Sequence, residues 1–252
     1  ETKFNLFKYQ TKQDTAVINY DNPIIKKNLS RFLGQQIPFS LRKNLKNGLY
    51  IEKHQIYYQQ KPWITYHNNY FNAPHNQANL LAALGATLKF NLPSSLLANS
   101  INTFNGIPHR LETVTKINKV SYIDDLKSST PISTINAINS FPQKNIHLII
   151  GGNHKKVSHL SLAKTIAQKV KYLYLLPGTT SQSVLSKLQT IHPKITTTKS
   201  FTNLPDTLKY IHQHSKKGDI ILMSPAGANF QEMHLQNKYS LKSILNDISK
   251  EK

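Results

Sequence analysis

The sequence has no cysteine. That excludes disulfides, thiolate nucleophiles and cysteine-ligated zinc sites. Acids are scarce, 12 against 32 lysines and arginines, for a formal charge of +20. No run approaches the ~18 apolar residues that cross a bilayer, and no signal peptide opens the chain. A cytoplasmic protein is expected. The first residue is Glu1 rather than Met, so the stretch is expected to begin inside a longer protein or after processing. There is no Gly-x-Ser-x-Gly, no His-Glu-x-x-His and no Gly-x-x-x-x-Gly-Lys-Ser/Thr. These absences remove the common serine-hydrolase, zinc-protease and phosphate-loop readings.

What remains supports a folded protein. Hydrophobic residues make up 38% and aromatics 9% of 252 residues, enough for one large domain or two ordinary ones. A strongly positive chain attracts polyanions without specificity. The lysines are scattered, however, and no arginine-rich arm marks a nucleic-acid footprint. The positive field also suits a smaller anion such as a nucleotide.

Residues 1 to about 72 read as short strands with polar turns. Thr15–Asn19 is a buried-strand candidate. Gly48–Glu52 and Gln55–Tyr58 form a hairpin, with Trp63–Tyr66 as a third strand. The apolar period then becomes helical. Asn76 to Phe90 places Leu80, Leu81, Leu84 and Leu88 on one face, and Pro93 opens a second helix. Asn105-Gly106-Ile107-Pro108 marks a domain boundary. Beyond it strands and helices alternate: strands at Val120–Asp124, Ile146–Ile150, Tyr172–Leu176, Ile195–Thr198 and Asp219–Met223, and a last helix from about His234 to Ile248. That alternation predicts an α/β domain on a mostly parallel sheet covered on both faces. Ligands of such sheets bind at the carboxyl ends of the strands.

Polar motifs fall at those ends. Asp124 and Asp125 end the first strand, with Lys127 beside them. They suit a ribose or metal-phosphate contact and a phosphate or carboxylate contact, or else a helix N-terminal acid cluster. Gly151-Gly152-Asn153-His154-Lys155 lets backbone approach a ligand and offers a cation, or is an ordinary turn. Ser224 to Phe230 is a run of small residues containing Asn229, which offers both donors and acceptors. Pro74-His75-Asn76 with Asn79 opens the leucine-rich helix; Asn76 is an N-cap or, with Asn79, meets a base edge. Arg110, in His109-Arg110-Leu111-Glu112, suits bidentate anion contacts or an ion pair between domains.

Order and spacing of these motifs resemble the Mur ligases, over essentially the whole chain. Pro74-His75-Asn76-x-x-Asn79 is similar to the family's adenine-contacting helix, and Phe104 to Glu112 to the joint before its C-terminal domain. Tyr122 to Pro131, Gly151 to Lys155 and Ser224 to Phe230 are similar to the strand ends of its D-glutamate-adding branch. The resemblance implies an α/β fold in two parts. Residues 1–106 would end the central ATP-binding domain, and 107–252 would form a Rossmann-like, amino-acid-binding C-terminal domain. It implies an ATP- and Mg2+-dependent ligase of peptidoglycan precursor synthesis. That ligase activates the carboxylate of UDP-N-acetylmuramoyl-L-alanine as an acyl phosphate and adds D-glutamate. By the same resemblance Lys127 and His109 would be catalytic. Asn76, Asn79, Arg110 and Asp125 would bind nucleotide. Lys127, Ser129, Lys155 and Asn229 would surround the amino acid. Lys3, if carbamylated, would help hold the metal. A monomer is expected for the intact protein, without membrane insertion.

The sequence departs from the pattern at several places. The uridine-nucleotide domain and the phosphate-binding loop precede this stretch in family members, so the stretch alone is not expected to hydrolyse ATP. Asp124 stands for the usual Asn, Leu126 for Ser, Asn229 for Ser, Gln231 for Asp and Gln236 for an aromatic. The alternative these changes keep open is a catalytically inactive, ligase-like module that binds a nucleotide or other polyanion.

Overall fold

Alternation of buried and half-buried side chains starts the first sheet. In β1 (Thr15–Asn19) Ala16 and Ile18 point inward. The computed structural model describes residues 2–142, 145–191, 198–235 and 241–250. It divides into two compact units, Glu1–Asn105 and Gly106–Lys252.

The first unit continues with α1 (Pro23–Lys27), β2 (Gln35–Ser40), β3 (Leu49–Glu52), β4 (Gln55–Tyr58) and β5 (Lys61–Thr65). These five strands pair in chain order, parallel from β1 to β3 and antiparallel from β3 to β5. The two hairpin turns, Lys53-His54 and Gln59-Gln60, place both residues in the left-handed region. That backbone matches the right-handed twist of the strands and costs side chains some strain. Then come α2 (Pro74–Thr87) and α3 (Ser94–Asn102). Leu80, Leu81 and Leu84 of α2 are buried against the sheet with Ile37, Phe39, Leu49 and Ile64. Helix α2 ends at Thr87, and a 3₁₀ turn carries Leu88 on to Phe90.

The second unit runs β6 (Glu112–Ile117), β7 (Val120–Asp124), α4 (Pro131–Asn139), β8 (Ile146–Ile150), α5 (Leu160–Lys169), β9 (Val170–Leu175), α6 (Thr179–Ile191), β10 (Thr198–Ser200), α7 (Leu204–His214), β11 (Ile220–Met223), α8 (Phe230–His234) and α9 (Leu241–Lys250). Strand order is β10-β9-β8-β11-β7-β6. Only the edge pair β6/β7 is antiparallel. Alternate residues of the central strands feed two cores. Tyr122, Ile149, Ile221 and Met223 pack with leucines and isoleucines of α7 and α9. Ile123, Leu148, Ile150 and Leu222 pack with α4, α5 and α6. Burial on both faces explains why these strands are apolar throughout.

Two expectations change. The segment after Pro108 carries an antiparallel edge strand, β6, where no strand was read. The single last helix from His234 to Ile248 is described as α8 and α9, with 236–240 outside the described residues. Most of the expected 195–198 strand also lies outside them, and β10 begins at Thr198.

Because β11 returns between β8 and β7, the carboxyl ends of these three strands are neighbours. Their amino ends hold a different polar group. His147, fully buried in β8, has Nε2 3.0 Å from Asp219 Oδ2 and Nδ1 3.1 Å from the Tyr174 hydroxyl. The Lys171 ammonium lies 3.1 Å from Asp219 Oδ1. An ionised carboxylate only accepts, so Nε2–H donates to Asp219 and the tyrosine hydroxyl donates to Nδ1.

Burial holds His147 below the usual histidine range, and does the same to His159 and His234. A histidine kept neutral when folded protonates first in the unfolded chain, so its share of stability is lost as pH falls below about 6.5. Burial works against ionisation of Asp219, but the Lys216 N–H, Lys171 and His147 together hold it below its ordinary 3.8. Its share is lost lower still, on the acid side of that value. The melting temperature is therefore expected to fall steadily from pH 7.5 to pH 5, and His147→Gln flattens part of that slope. Thermal scans across this range that stay level contradict the assignment.

Candidate functional site at the strand ends

At the end of β7 two adjacent carboxylates both hold the segment that precedes β6. Asp124 accepts the Leu126 N–H at Oδ1 (3.0 Å) and meets His109 Nδ1 at Oδ2 (2.8 Å). Asp125 accepts the Leu111 N–H at Oδ1 (3.3 Å) and the Ser224 hydroxyl at Oδ2 (2.7 Å). The Lys127 N–H donates to the His109 carbonyl (3.2 Å). The segment 109–112 is thus pinned to the strand end by both aspartates. It needs pinning, because His109 and Leu111 both have positive φ, 63° and 49°, which a branched or bulky residue adopts only at a cost.

Asp124 and Asp125 are both buried. Burial pushes the Asp125 carboxyl up, against hydrogen bonds from Ser128, Ser224 and Leu111 and the nearby Arg110 charge. Thr134 of α4 completes this group, with Oγ1 3.0 Å from Ser224 Oγ. Ser224→Ala leaves a buried charged acceptor one partner short, so a loss of about 2 kcal/mol is expected. Denaturant unfolding that shifts by less than about 0.5 kcal/mol contradicts this view of Ser224.

The ends of β8 and β11 are laced to the same corner. Asn153 and Ala228 exchange both backbone bonds at 2.8 Å, the Gly151 N–H donates to Pro225, and the Ala226 N–H donates to Ser128. Lys155 Nζ reaches Ser129 Oγ at 3.1 Å, so two of the expected amino-acid contacts meet across different strand ends. Arg110, Lys127, Lys155 and Asn229 are exposed, and Ser129 is half-buried. Asn229, at φ 60°, starts α8 without a side-chain cap bond. Cations therefore face out while the carboxylates beneath them are buried. No ion-pair partner of Lys127 or Lys155 occurs among the described residues.

The remaining expected residues lie in the first unit. Asn76 is not an N-cap. Ala73 holds that position, Pro74 is the first helical residue, and buried Asn76 donates its Nδ2 to the Tyr70 carbonyl (2.8 Å). Asn79 is exposed one turn on. The Lys3 side chain and all of Gln236 lie outside the described residues. Sequence reasoning missed the Asp125–Ser224–Thr134 group. Ser224 is 90 positions from Thr134 and 99 from Asp125, so only the strand order joins them.

Residues 109–227 match the family described as "Mur ligase, glutamate ligase domain". The UDP-N-acetylmuramoylalanine–D-glutamate ligase of Geotalea daltonii is 30% identical over 233 residues, 91% of this chain and 50% of that protein. The enzyme of the same name from Clostridium tetani is 32% identical over 232 residues, with the same coverage. Among solved structures, a murein peptide ligase of Psychrobacter arcticus superposes with a TM-score of 0.66 at 15% identity. That match covers 98% of this chain and 54% of the other. The chain spans about half the length of the curated relatives it matches, and its fold is the Mur ligase-like α/β fold. Residues 109–227 are therefore a Mur ligase glutamate ligase domain, in a chain that over most of its length is similar to half of two such ligases.

Proposed function

We propose that this chain is the part of an ATP-dependent ligase that receives the amino acid and the nucleotide, and that its parent adds D-glutamate to UDP-N-acetylmuramoyl-L-alanine. The first unit would end the central ATP-binding domain, and the second would bind the amino acid. One observation carries the reading: exposed Arg110, Lys127 and Lys155 stand at the laced strand ends over buried carboxylates. Outward cations on a fixed base suit substrates that carry a phosphate and up to three carboxylates.

ATP, with its accompanying magnesium ion, supplies the phosphoryl group that activates the acceptor carboxylate. The remaining work falls to this chain. Arg110 offers a planar pair of donors for phosphate oxygens. Lys127 neutralises the charge that builds on the acyl phosphate under attack, and its field is strengthened where water is excluded. Lys155 and Ser129 hold an amino-acid carboxylate between them, orienting the amine. Asn229 offers a neutral amide donor to the side-chain carboxylate, a weaker partner than a cation. His109 gives or takes a proton at the exposed edge of its ring. Asp125 supports this corner rather than reaching out freely, since both its oxygens already accept bonds.

The test is kinetic and uses the complete parent polypeptide. Lys155→Ala is expected to raise the KM for D-glutamate about tenfold or more, the worth of one charge-assisted bond. The KM for the uridine precursor should stay unchanged. The reverse pattern, with precursor affinity lost and glutamate affinity intact, overturns the assignment.

The +20 charge favours one second reading, a non-catalytic module that binds polyanions. It requires binding to any nucleic acid that collapses between low and moderate salt. Saturable ATP binding lost in Arg110→Ala opposes it.

A further inference from the structure

The acids of this chain are few, and three of the 12 gather at one corner: Glu112, Asp124 and Asp125. Asp125 is satisfied by Leu111 and Ser224. Glu112 and Asp124 are not so simply explained. They face each other directly across the antiparallel β6/β7 pair, and like charges in that position destabilise a sheet. Asp124 is also 2% exposed, so water does little to screen it. Among the described residues, the lysine or arginine within ion-pair distance of either is Lys242. It is a poor counter-ion, with Nζ 3.7 Å from Glu112 Oε1 on a side chain 67% exposed.

Both carboxylates turn toward His109. Glu112 Oε2 accepts the His109 N–H at 3.0 Å, and Asp124 Oδ2 lies 2.8 Å from His109 Nδ1. One ligand-type atom from each of the three residues falls within 4.8 Å of the other two. Bonds of about 2.1 Å from one ion to two neighbouring ligands set those ligands roughly 3 Å apart, the spacing of His109 Nδ1 and Asp124 Oδ2. His109 is 41% exposed on its side chain, which leaves a way in.

We propose that His109, Glu112 and Asp124 form a binding site for a divalent transition-metal ion. One imidazole nitrogen and two carboxylate oxygens suit zinc, manganese or cobalt better than magnesium or calcium, which take oxygen donors. Water fills the open positions. The ion replaces the proton of the His109–Asp124 bond and removes the repulsion across the strand pair. It also fixes the left-handed 109–112 corner, so it sets where Arg110, between two of its ligands, stands. The site shares His109 with the proposed ligase chemistry, so its test uses no turnover and reads metal binding alone.

The chain, stripped with chelator, is titrated calorimetrically with Zn2+ near pH 7.5. Saturable binding of a single ion per chain is expected. His109→Gln and Glu112→Gln each weaken it about tenfold or more, on the scale that lost ligand interactions cost. His154→Gln, beside His159 and not one of the three cluster residues, leaves it unchanged. Circular dichroism checks that each variant is folded. A second measurement does not depend on variants: in the unaltered chain, trace Mn2+ broadens the His109 ring resonances before those of His154 and His159. Equal Zn2+ affinity in all three variants, no saturable binding, or broadening centred on His154 and His159 overturns the proposal. In that event the His109–Asp124 bond is a structural clamp alone.

Discussion

Gly178→Ala is expected to lower stability by about 3 kcal/mol, which for a protein of this size is a fall in melting temperature of roughly 6–12 °C. Two costs add. Gly178 sits at φ +135°, a conformation that L side chains rarely adopt. A Cβ there would also lie 2.2 Å from the Gly152 carbonyl oxygen and 2.7 Å from Gly152 C and N. Those neighbours are backbone and cannot swing aside. The Gly152 carbonyl accepts the Thr180 N–H at 3.0 Å, and its own N–H donates to Pro177. Relieving the clash therefore pulls the β8 turn from the α6 terminus, beneath Asn153 and Lys155. Gly218→Ala is the control. It shares a positive φ, +93°, but a Cβ there meets nothing within 4 Å. It should cost only the conformational share, about 1 kcal/mol. Equal losses in the two variants, measured by thermal and urea unfolding, would contradict the steric half of the argument.

Lys127→Ala in the complete parent polypeptide is expected to lower kcat for amide formation about 10²–10³-fold, the effect of removing one preorganised stabiliser of a developing anion. Stability should change by less than about 0.5 kcal/mol, as for other exposed side chains. The side chain is exposed, and the residue's structural bond is made by its backbone N–H to the His109 carbonyl, which alanine keeps. Lys127→Arg retains the charge but changes its shape and reach, so partial activity is expected. A folded Lys127→Ala enzyme with full kcat and only a raised KM would make this lysine a binding residue. An unfolded variant would make it structural.

Much of the second unit was legible because its strands are extreme. Ile146–Ile150 is buried along its whole length, and a run so apolar between turn residues has few other uses. The edge strand β6 was missed for the opposite reason. Glu112–Ile117 is only half-buried, with charged and threonine positions facing water, and edge strands are written to discourage further pairing. The start of α2 was misjudged by three residues. Asn76 looked like a cap, but Pro74 at the first helical position places the cap at Ala73, as proline's missing N–H would suggest. At the site, the aspartate pair, Lys155 and Asn229 could be chosen because strand ends are where such sheets bind ligands. The contact of Lys155 with Ser129, and of Ser224 with Asp125, could not. Each joins segments brought together only when β11 inserts between β8 and β7.

The proposed activity of the parent protein is the joining of D-glutamate to a uridine-linked acyl acceptor. The most direct measurement expresses the complete open reading frame that contains these 252 residues. Release of ADP is then followed with UDP-N-acetylmuramoyl-L-alanine and each of a panel of amino acids. The account predicts release that requires both substrates, prefers D-glutamate and yields an equal amount of amide. Release with a different amino acid, or none with any despite a folded protein, would contradict it.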